Sequence, residues 1–355
     1  MADSYFQLAT TPRLYISYPL WQYANGALDF YGSNVATNEE LIKLIQLNPS
    51  KTISLDGTGV DEINLNYKIN PENDDTNMME SPLWDFNYMM VLGHNLSSAN
   101  IKLYPKIMDR GYQSARIIDR SNLINYDNWN APEYDGWSLM ELTQPKPMQF
   151  ENDNIFRCSF EVNNQDENPL QLGSLLFGKY YDFPQNADLS ETFSIDYGIK
   201  QKQTISGQTI STANWTKPNN WITEPFGLSE QFKDRGDNFS RRSGRRTWNI
   251  SFDSLAPDKV MNQNPMLNSN MWKAQDNHST YGVDNQSEYN INNSTDMFTN
   301  IVHRTMGGHL PMVMQLDKNV FSPESFVIVR LDSSFKINQK NPNLYNIKMK
   351  LTEQI

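Results

Sequence analysis

Histidine and cysteine, the side chains that most often bind metals or attack substrates, are few and scattered in this sequence. The four histidines are His94, His278, His303 and His309. No two of them have the spacing of a His-x-x-x-His pair and none lies beside a cysteine, so we expect no transition-metal site and no cofactor. The single cysteine, Cys158, lies in a strand-like segment, where a free thiol usually packs as a small buried hydrophobe; the alternative is a nucleophile.

The acidic residues also lack the spacing of a catalytic or calcium-binding motif. Residues 73–77 offer oxygen ligands, but not the alternating acidic positions and fixed glycine of a calcium loop, which favours a solvated loop. Asp85 and Asp127 are candidates for a hydrolase carboxylate pair, yet no spacing rule brings them together. The sequence also lacks a nucleophile elbow and a phosphate-binding loop. We therefore predict that the chain is not an enzyme.

A cluster of arginines forms the densest positive segment of the chain. Its members are Arg241, Arg242, Arg245 and Arg246. Because guanidinium groups pair bidentately with carboxylates, these residues are candidates for a contact between subunits. Two alternatives stay open: the arginines are solvated at the start of a strand, or they face DNA if the chain lines a channel.

Tryptophan occurs eight times, and several of these residues lie in polar segments that we predict to be loops. A flat ring with a polar edge can bury area against another protein or stack on a sugar. The candidates for partner or glycan contact are Trp21, Trp84, Trp129, Trp137, Trp215 and Trp221. Core packing or subunit contact and glycan stacking both stay open for them.

The chain is acidic and long enough for two domains. Its 355 residues exceed what one hydrophobic core usually supports. With 41 acidic and 30 basic residues the formal net charge is −11, so neither a nucleic-acid backbone nor a membrane is an expected partner. Because the chain has only one cysteine, it cannot form an internal disulfide. The sequence shows neither a secretion signal nor a long apolar segment, so we expect synthesis in the cytoplasm.

Residues 1–181 contain short candidate strands separated by turn-forming residues, a pattern typical of a jelly roll or β-sandwich. The predicted strands are residues 14–18, 60–67, 85–92, 101–104, 115–119, 156–162 and 172–177. One helix is predicted over residues 38–47, with Leu41, Leu44 and Ile45 on its apolar face. The sequence thus predicts an all-β dominated fold.

Residues 182–355 form the second predicted domain. Apolar and polar residues alternate over residues 246–252, which predicts a strand whose apolar side chains face inward. A helix is predicted near residues 294–306, with Ser294 or Thr295 as its cap and a Gly-Gly pair as its end. The other predicted elements are strands at 311–315, 325–331 and 345–351, a hairpin near 192–209, and a long loop at 257–291 that a neighbouring subunit orders.

Several segments resemble tail proteins of marine tailed bacteriophages. The resemblance is carried by residues 243–252, 308–311, 326–332 and 343–347, and by residues 173–184 and 195–200. It implies that the second domain is tail-tube-like, a small β-barrel or sandwich flanked by one helix, whose subunits close into rings. Residues 87–101 are similar to galactose-binding-like jelly rolls. That second similarity implies a first domain that faces outward or contacts other proteins.

These observations favour a structural protein of the phage tail or tail tip. On this hypothesis the chain is made in the cytoplasm of the bacterial host, forms a homo-oligomeric ring, expected to be hexameric, and contacts other tail proteins in the virion. The alternative is a receptor adhesin whose jelly roll binds a host surface glycan. A glycan-degrading enzyme would need a carboxylate pair in a cleft, which the sequence does not indicate.

Overall fold

A computed structural model describes the backbone of residues 11–24, 28–33, 37–49, 51–55, 59–69, 86–94, 103–107, 116–117, 136–146, 155–164, 170–188, 192–213, 245–261, 296–320, 325–332 and 335–354. Strands dominate these residues, and every strand pair that they form is antiparallel. The expectation of an all-β dominated fold is therefore confirmed.

The strands of the described residues are numbered in chain order. They are β1 (Arg13–Tyr15), β2 (Leu28–Ser33), β3 (Ile53–Leu55), β4 (Gly59–Ile69), β5 (Phe86–His94), β6 (Leu103–Ile107), β7 (Arg116–Ile117), β8 (Gly136–Lys146), β9 (Ile155–Asn164), β10 (Leu170–Leu172), β11 (Ser174–Gly178), β12 (Tyr180–Asp182), β13 (Thr192–Asp196), β14 (Ile199–Gln203), β15 (Thr209–Ala213), β16 (Arg245–Leu255), β17 (Met312–Gln315), β18 (Phe326–Leu331), β19 (Lys336–Asn341) and β20 (Leu344–Glu353).

The largest sheet has eight strands and joins the two ends of the described chain. Its order is β12-β1-β17-β18-β20-β16-β13, and β19 adds to β20. The N-terminal strand β1 therefore lies between β12 and β17, with Leu14 opposite Tyr181 on one side and Met314 on the other. Strand β1, which lies in the first predicted domain, belongs to the sheet of the C-terminal strands.

This sheet is buried on both faces where β1, β17 and β18 lie side by side. Successive residues of β17 alternate between two cores, since Met312 and Met314 belong to one core and Val313 to the other. The first core also contains Trp248, and the second contains Tyr88 of β5. Burial on both faces explains why the short strands Met312–Gln315 and Phe326–Leu331 are almost continuously apolar.

The other sheets are smaller and come mostly from the first half of the chain. Strands β11, β5 and β8 form a three-stranded sheet, whose buried residues share the second core with the large sheet. Strands β2, β4, β9, β6 and β7 form a five-stranded sheet. Two pairs complete the arrangement: β3 with β10, and β14 with β15.

Short helices connect the strands: α1 (Tyr18–Ala24), α2 (Asn38–Ile45) and α3 (Pro257–Val260). Helix α2 begins with a capping box, in which the backbone N–H of Glu40 donates to Thr37 Oγ1 and the Glu40 carboxylate accepts from the Thr37 N–H. The predicted apolar face of α2 is confirmed as buried. No helix in the described part of the chain is both long and apolar enough to span a membrane.

The helix predicted near residues 294–306 is present, but as a π-helix over Phe298–His303. Residues 294 and 295, the predicted caps, lie outside the described residues, and the side chain of Asp296 accepts from the Thr299 N–H at 2.7 Å. The π-helix ends at His303, before the predicted Gly-Gly stop. Gly307 and Gly308 lie in the turn that follows, where the Gly307 N–H donates back to the Val302 carbonyl at 2.7 Å.

Several boundaries differ from the prediction. The segment predicted as a loop from residue 257 begins with helix α3, in which Val260 is buried, and residues 262–291 lie outside the described residues. The hairpin predicted near 192–209 is formed by β14 and β15, while β13 pairs with β16 instead. Strand β8 was not predicted. The division at residues 181 and 182 stays a prediction, and it falls inside β12.

Replacing Gly308 by alanine should destabilise the fold strongly. Gly308 has φ +92°, and a Cβ there would lie 2.1 Å from the backbone oxygen of Leu331. We expect a loss of about 3 kcal/mol in the free energy of unfolding, measured by urea denaturation. Gly307→Ala is the matched control, because φ is +70° but a Cβ would meet no atom within 4 Å; it should cost about 1 kcal/mol. Equal losses in the two variants would contradict the prediction.

Candidate functional site

Arg246, a member of the arginine cluster, forms an ion pair inside the chain. Its Nε and Nη2 donate to the two carboxylate oxygens of Glu353 at 2.9 and 2.6 Å, and its backbone N–H donates to the same carboxylate at 3.0 Å. The side chains are only 11% and 5% exposed, and the guanidinium also lies 5.4 Å from the ring centroid of Trp248. The guanidinium group of Arg246, a candidate for pairing with a carboxylate of another subunit, is therefore already paired with a carboxylate of its own chain.

The rest of the arginine cluster differs in its surroundings. Arg245, the first residue of β16, is exposed. Arg241 and Arg242 lie outside the described residues, so their assignment to an interface stays a prediction. Of the cluster, Arg245 is the described side chain that solvent or a partner can reach most readily.

Most of the candidate tryptophans lie where no side chain is described. Trp84, Trp129, Trp215 and Trp221 are outside the described residues, and Trp137 lies in β8 with only its backbone described. Trp21 lies in α1, half-buried, with its ring 6.5 Å from that of Tyr18. The structure thus brings no two of the candidate tryptophans together among the described side chains.

The described histidines and the cysteine belong to different elements of the fold. His94 is the last residue of β5, and Cys158 lies in β9. His303 ends the π-helix, where burial lowers its pKa although the charge of Asp296 acts in the opposite direction. His309 follows in the exposed turn, and His278 lies outside the described residues. The described residues contain no group of three or more His, Cys, Asp or Glu side chains that could hold a metal ion.

A charged cluster that the sequence did not indicate surrounds Arg13 of β1. Arg13 donates through Nε and Nη2 to both carboxylate oxygens of Asp182, at 2.6 and 3.0 Å. Its Nη1 donates to Glu141 of β8 at 2.7 Å, and its guanidinium lies 3.8 Å from the ring centroid of Tyr180. One side chain thus joins strands of the eight-stranded sheet to a strand of the three-stranded sheet.

Tyr15 extends this cluster into the second core. Its hydroxyl donates to Glu141 Oε1 at 2.5 Å and lies 2.8 Å from Gln315 Oε1. The Gln315 amide in turn donates to the backbone carbonyl of Val320 at 2.9 Å. The ring of Tyr15 meets the ring of Tyr88 edge to face, with centroids 5.0 Å apart. Polar and aromatic contacts therefore hold the same side chain.

The electrostatics of the cluster favour a fixed protonation state. Burial alone would lower the pKa of Arg13, but its hydrogen bond to Asp182 and the charge of Glu141 raise it above the ordinary value. Burial, followed by the negative charge of Glu141, raises the pKa of the Tyr15 hydroxyl. Arg13 therefore stays charged and Tyr15 neutral near neutral pH, which suits a structural cluster and not proton transfer.

The hairpin of β14 and β15 is the most exposed part of the described structure. Its strands pair only with each other among the described residues, with Lys202 opposite Ile210 and Ile199 opposite Ala213. The relative exposure is 53% for Ile199, 54% for Ile210 and 110% for Ile205 at the turn. Apolar side chains in an ordered element that no described strand pairs with or covers point to a contact surface.

Local hydrogen bonds give the hairpin a defined turn. The Thr204 N–H donates to the Gln208 carbonyl at 2.8 Å, and the Gly207 N–H donates to the Thr204 carbonyl at 2.9 Å. Gly207 has φ +84°, the left-handed conformation that closes a three-residue hairpin loop. At the base, the Asp196 carboxylate accepts from the Gly198 N–H at 2.7 Å. These bonds hold Ile205 outward at the tip.

Comparison with known proteins gives no family to which the chain can be assigned. No protein-family model matches it, and no curated protein is significantly similar to it.

The Arg246–Glu353 pair should contribute much more to stability than an exposed pair on the same strand. Glu353→Gln removes the carboxylate charge that accepts three hydrogen bonds from the buried Arg246, so we expect a loss of about 3 kcal/mol in the free energy of unfolding. The control is Lys350→Ala, which removes a pair with Asp332 whose side chains are 44% and 32% exposed; it should cost at most about 1 kcal/mol. Urea denaturation measures both, and similar losses would contradict the assignment.

The raised pKa of Tyr15 predicts a loss of stability in alkali. The unfolded chain loses the tyrosine proton near pH 10 while the folded chain retains it, so stability falls as the pH rises above about 10. Tyr15→Phe should make this decline shallower by up to about 1.4 kcal/mol per pH unit. Tyr197→Phe, at a side chain 44% exposed, is the control. The free energy of unfolding between pH 9 and 12 is the measurement, and unchanged slopes in both variants would refute the prediction.

Proposed function

We propose that this chain is a structural subunit of the tail or tail tip of a tailed bacteriophage, which assembles as a ring and contacts other tail proteins. After synthesis in the host cytoplasm it becomes part of the virion. The second predicted domain supplies the tube-like, ring-forming part, and the first faces outward or towards other tail proteins.

The observation that supports this proposal is the convergence of the segments that resemble tail proteins. Residues 243–252 contribute to β16, residues 326–332 to β18 and residues 343–347 to β20. These strands are neighbours in the eight-stranded sheet, in the order β18-β20-β16. Residues 173–184 reach the opposite end of the same sheet through β12. Segments far apart in sequence thus combine into one sheet, as a shared fold requires.

The construction of the sheet also suits a building block of an assembly. A subunit that transmits contacts around a ring needs a rigid body, and the sheet has buried side chains on both faces at β1, β17 and β18. The helix that the resemblance places beside the domain corresponds to Phe298–His303, whose residue Ile301 belongs to the first core. The exposed hairpin of β14 and β15 supplies a surface for contact with another protein.

The purified full chain should self-associate into closed rings. In sedimentation velocity we expect a single oligomeric species, whose fraction increases with protein concentration. In negative-stain class averages we expect six-fold rings. A chain that stays monomeric at every concentration would overturn the proposal. Three-fold particles that bind a host surface glycan would overturn it in favour of a receptor adhesin.

A further inference from the structure

We propose that the hairpin arm, residues 199–213, docks onto a second copy of this chain and makes the contact that links neighbouring subunits. This inference rests on the proposed function and deepens it, because it assigns the subunit contact to a particular element. The contact joins an arm on one copy to a different surface on the next.

The arm is ordered although the described residues cover little of it. A two-stranded hairpin on its own is only marginally stable in water, and helices or further strands normally cover one of its faces. Here residues 199–212 are all exposed, apart from a half-buried Thr204. The bonds of Thr204 and Gly207 nevertheless define the turn. A pre-ordered arm loses less entropy on docking than a flexible loop would.

The arm exposes isoleucine side chains at its tip and on both of its faces. Ile205 at the tip is fully exposed, and Ile199 and Ile210 are each more than half exposed. Opposite residues of an antiparallel pair share a face, so Lys202 and Ile210 lie on one face and Ile199 lies on the other. Both faces of the arm therefore present an isoleucine, which fits an occupant that surrounds the arm better than one that meets it on one side.

The charge of the arm selects a second copy of the chain as its occupant. The arm carries Lys200 and Lys202 and no acidic residue, whereas the whole chain has a formal net charge of −11. The surface outside the arm is thus even more acidic than the total, and another copy offers complementary charge. Two lysines beside exposed isoleucines suit DNA poorly, because phosphate binding gains nothing from an apolar tip.

The geometry of such a contact leads to a ring or a filament. An arm that binds a different patch on the next copy makes a head-to-tail interface, and repetition of that interface closes into a ring when the rotation allows it. The arm follows the end strand β13 of the eight-stranded sheet, and at their junction the Asp196 carboxylate accepts a hydrogen bond from the Gly198 N–H.

The test compares two matched triple variants of the full chain. The arm variant is Lys202→Glu, Ile205→Ser and Ile210→Ser; the control variant is Lys336→Glu, Val320→Ser and Leu344→Ser, which changes one exposed lysine and two exposed apolar residues elsewhere. All six side chains are exposed, so both variants should keep the unfolding midpoint of the parent. The apparent dissociation constant for self-association, from sedimentation velocity, should rise about tenfold or more in the arm variant and at most about twofold in the control. The arm effect should be smaller at high salt.

The outcomes separate this inference from the proposed function. If the arm variant forms the same rings as the parent, the arm does not link subunits although the proposed function stands. If the parent forms dimers or filaments instead of rings, and the arm variant does not form them, the inference about the arm holds and the proposed ring assembly is wrong. A photoreactive residue in place of Ile205 should crosslink to a second copy of the chain. If no crosslink between two copies forms from this position, the inference is overturned. Arm-dependent binding of the parent to phosphatidylglycerol vesicles or duplex DNA, without self-association, would also overturn it.

Discussion

The insertion of β1 between β12 and β17 is the constraint on which the rest of the described structure depends. Strand β1 pairs with both β12 and β17, which are about a hundred and thirty residues apart in the sequence. Its position places Arg13 beside Asp182 and Glu141. Buried guanidinium groups are tolerated only when carboxylates neutralise them and accept their protons. The ion pairs therefore fix both the register of β1 and the position of β8 over the sheet.

Tyr15 shows how the same constraint organises the core. Its neighbour Leu14 packs into the first core while the Tyr15 ring packs into the second, because consecutive residues of a strand point to opposite faces. A shift of one residue in β1 would exchange these side chains and break the bonds of Arg13. The other buried pair, Arg246 with Glu353, links the start of β16 to the end of β20 in the same way. Ionic contacts thus hold the sheet in register.

The amino-acid sequence by itself determined the class of fold and many of its elements. Alternation of apolar and polar residues predicted the buried face of β16, with Trp248, Ile250 and Phe252 all nearly inaccessible to water. The apolar face of α2 was also predicted, because the helical spacing of Leu41, Leu44 and Ile45 is a local feature of the sequence. Strand β8 and helix α1 were not predicted from the sequence, because Gly136–Lys146 mixes polar and apolar residues and α1 is only seven residues long.

Only the tertiary structure decided which elements meet. Pairing across long stretches of chain leaves no local signal, so the place of β1 in the C-terminal sheet and the Arg13 cluster could not be predicted from spacing. For the same reason the sequence marked Arg246 as a candidate interface residue, whereas Glu353, a hundred and seven positions away, binds it within the chain. The exposed isoleucines of β14 and β15 look like core residues in the sequence. Their exposure follows from the absence of any described strand or helix against the hairpin, which only the assembled fold reveals.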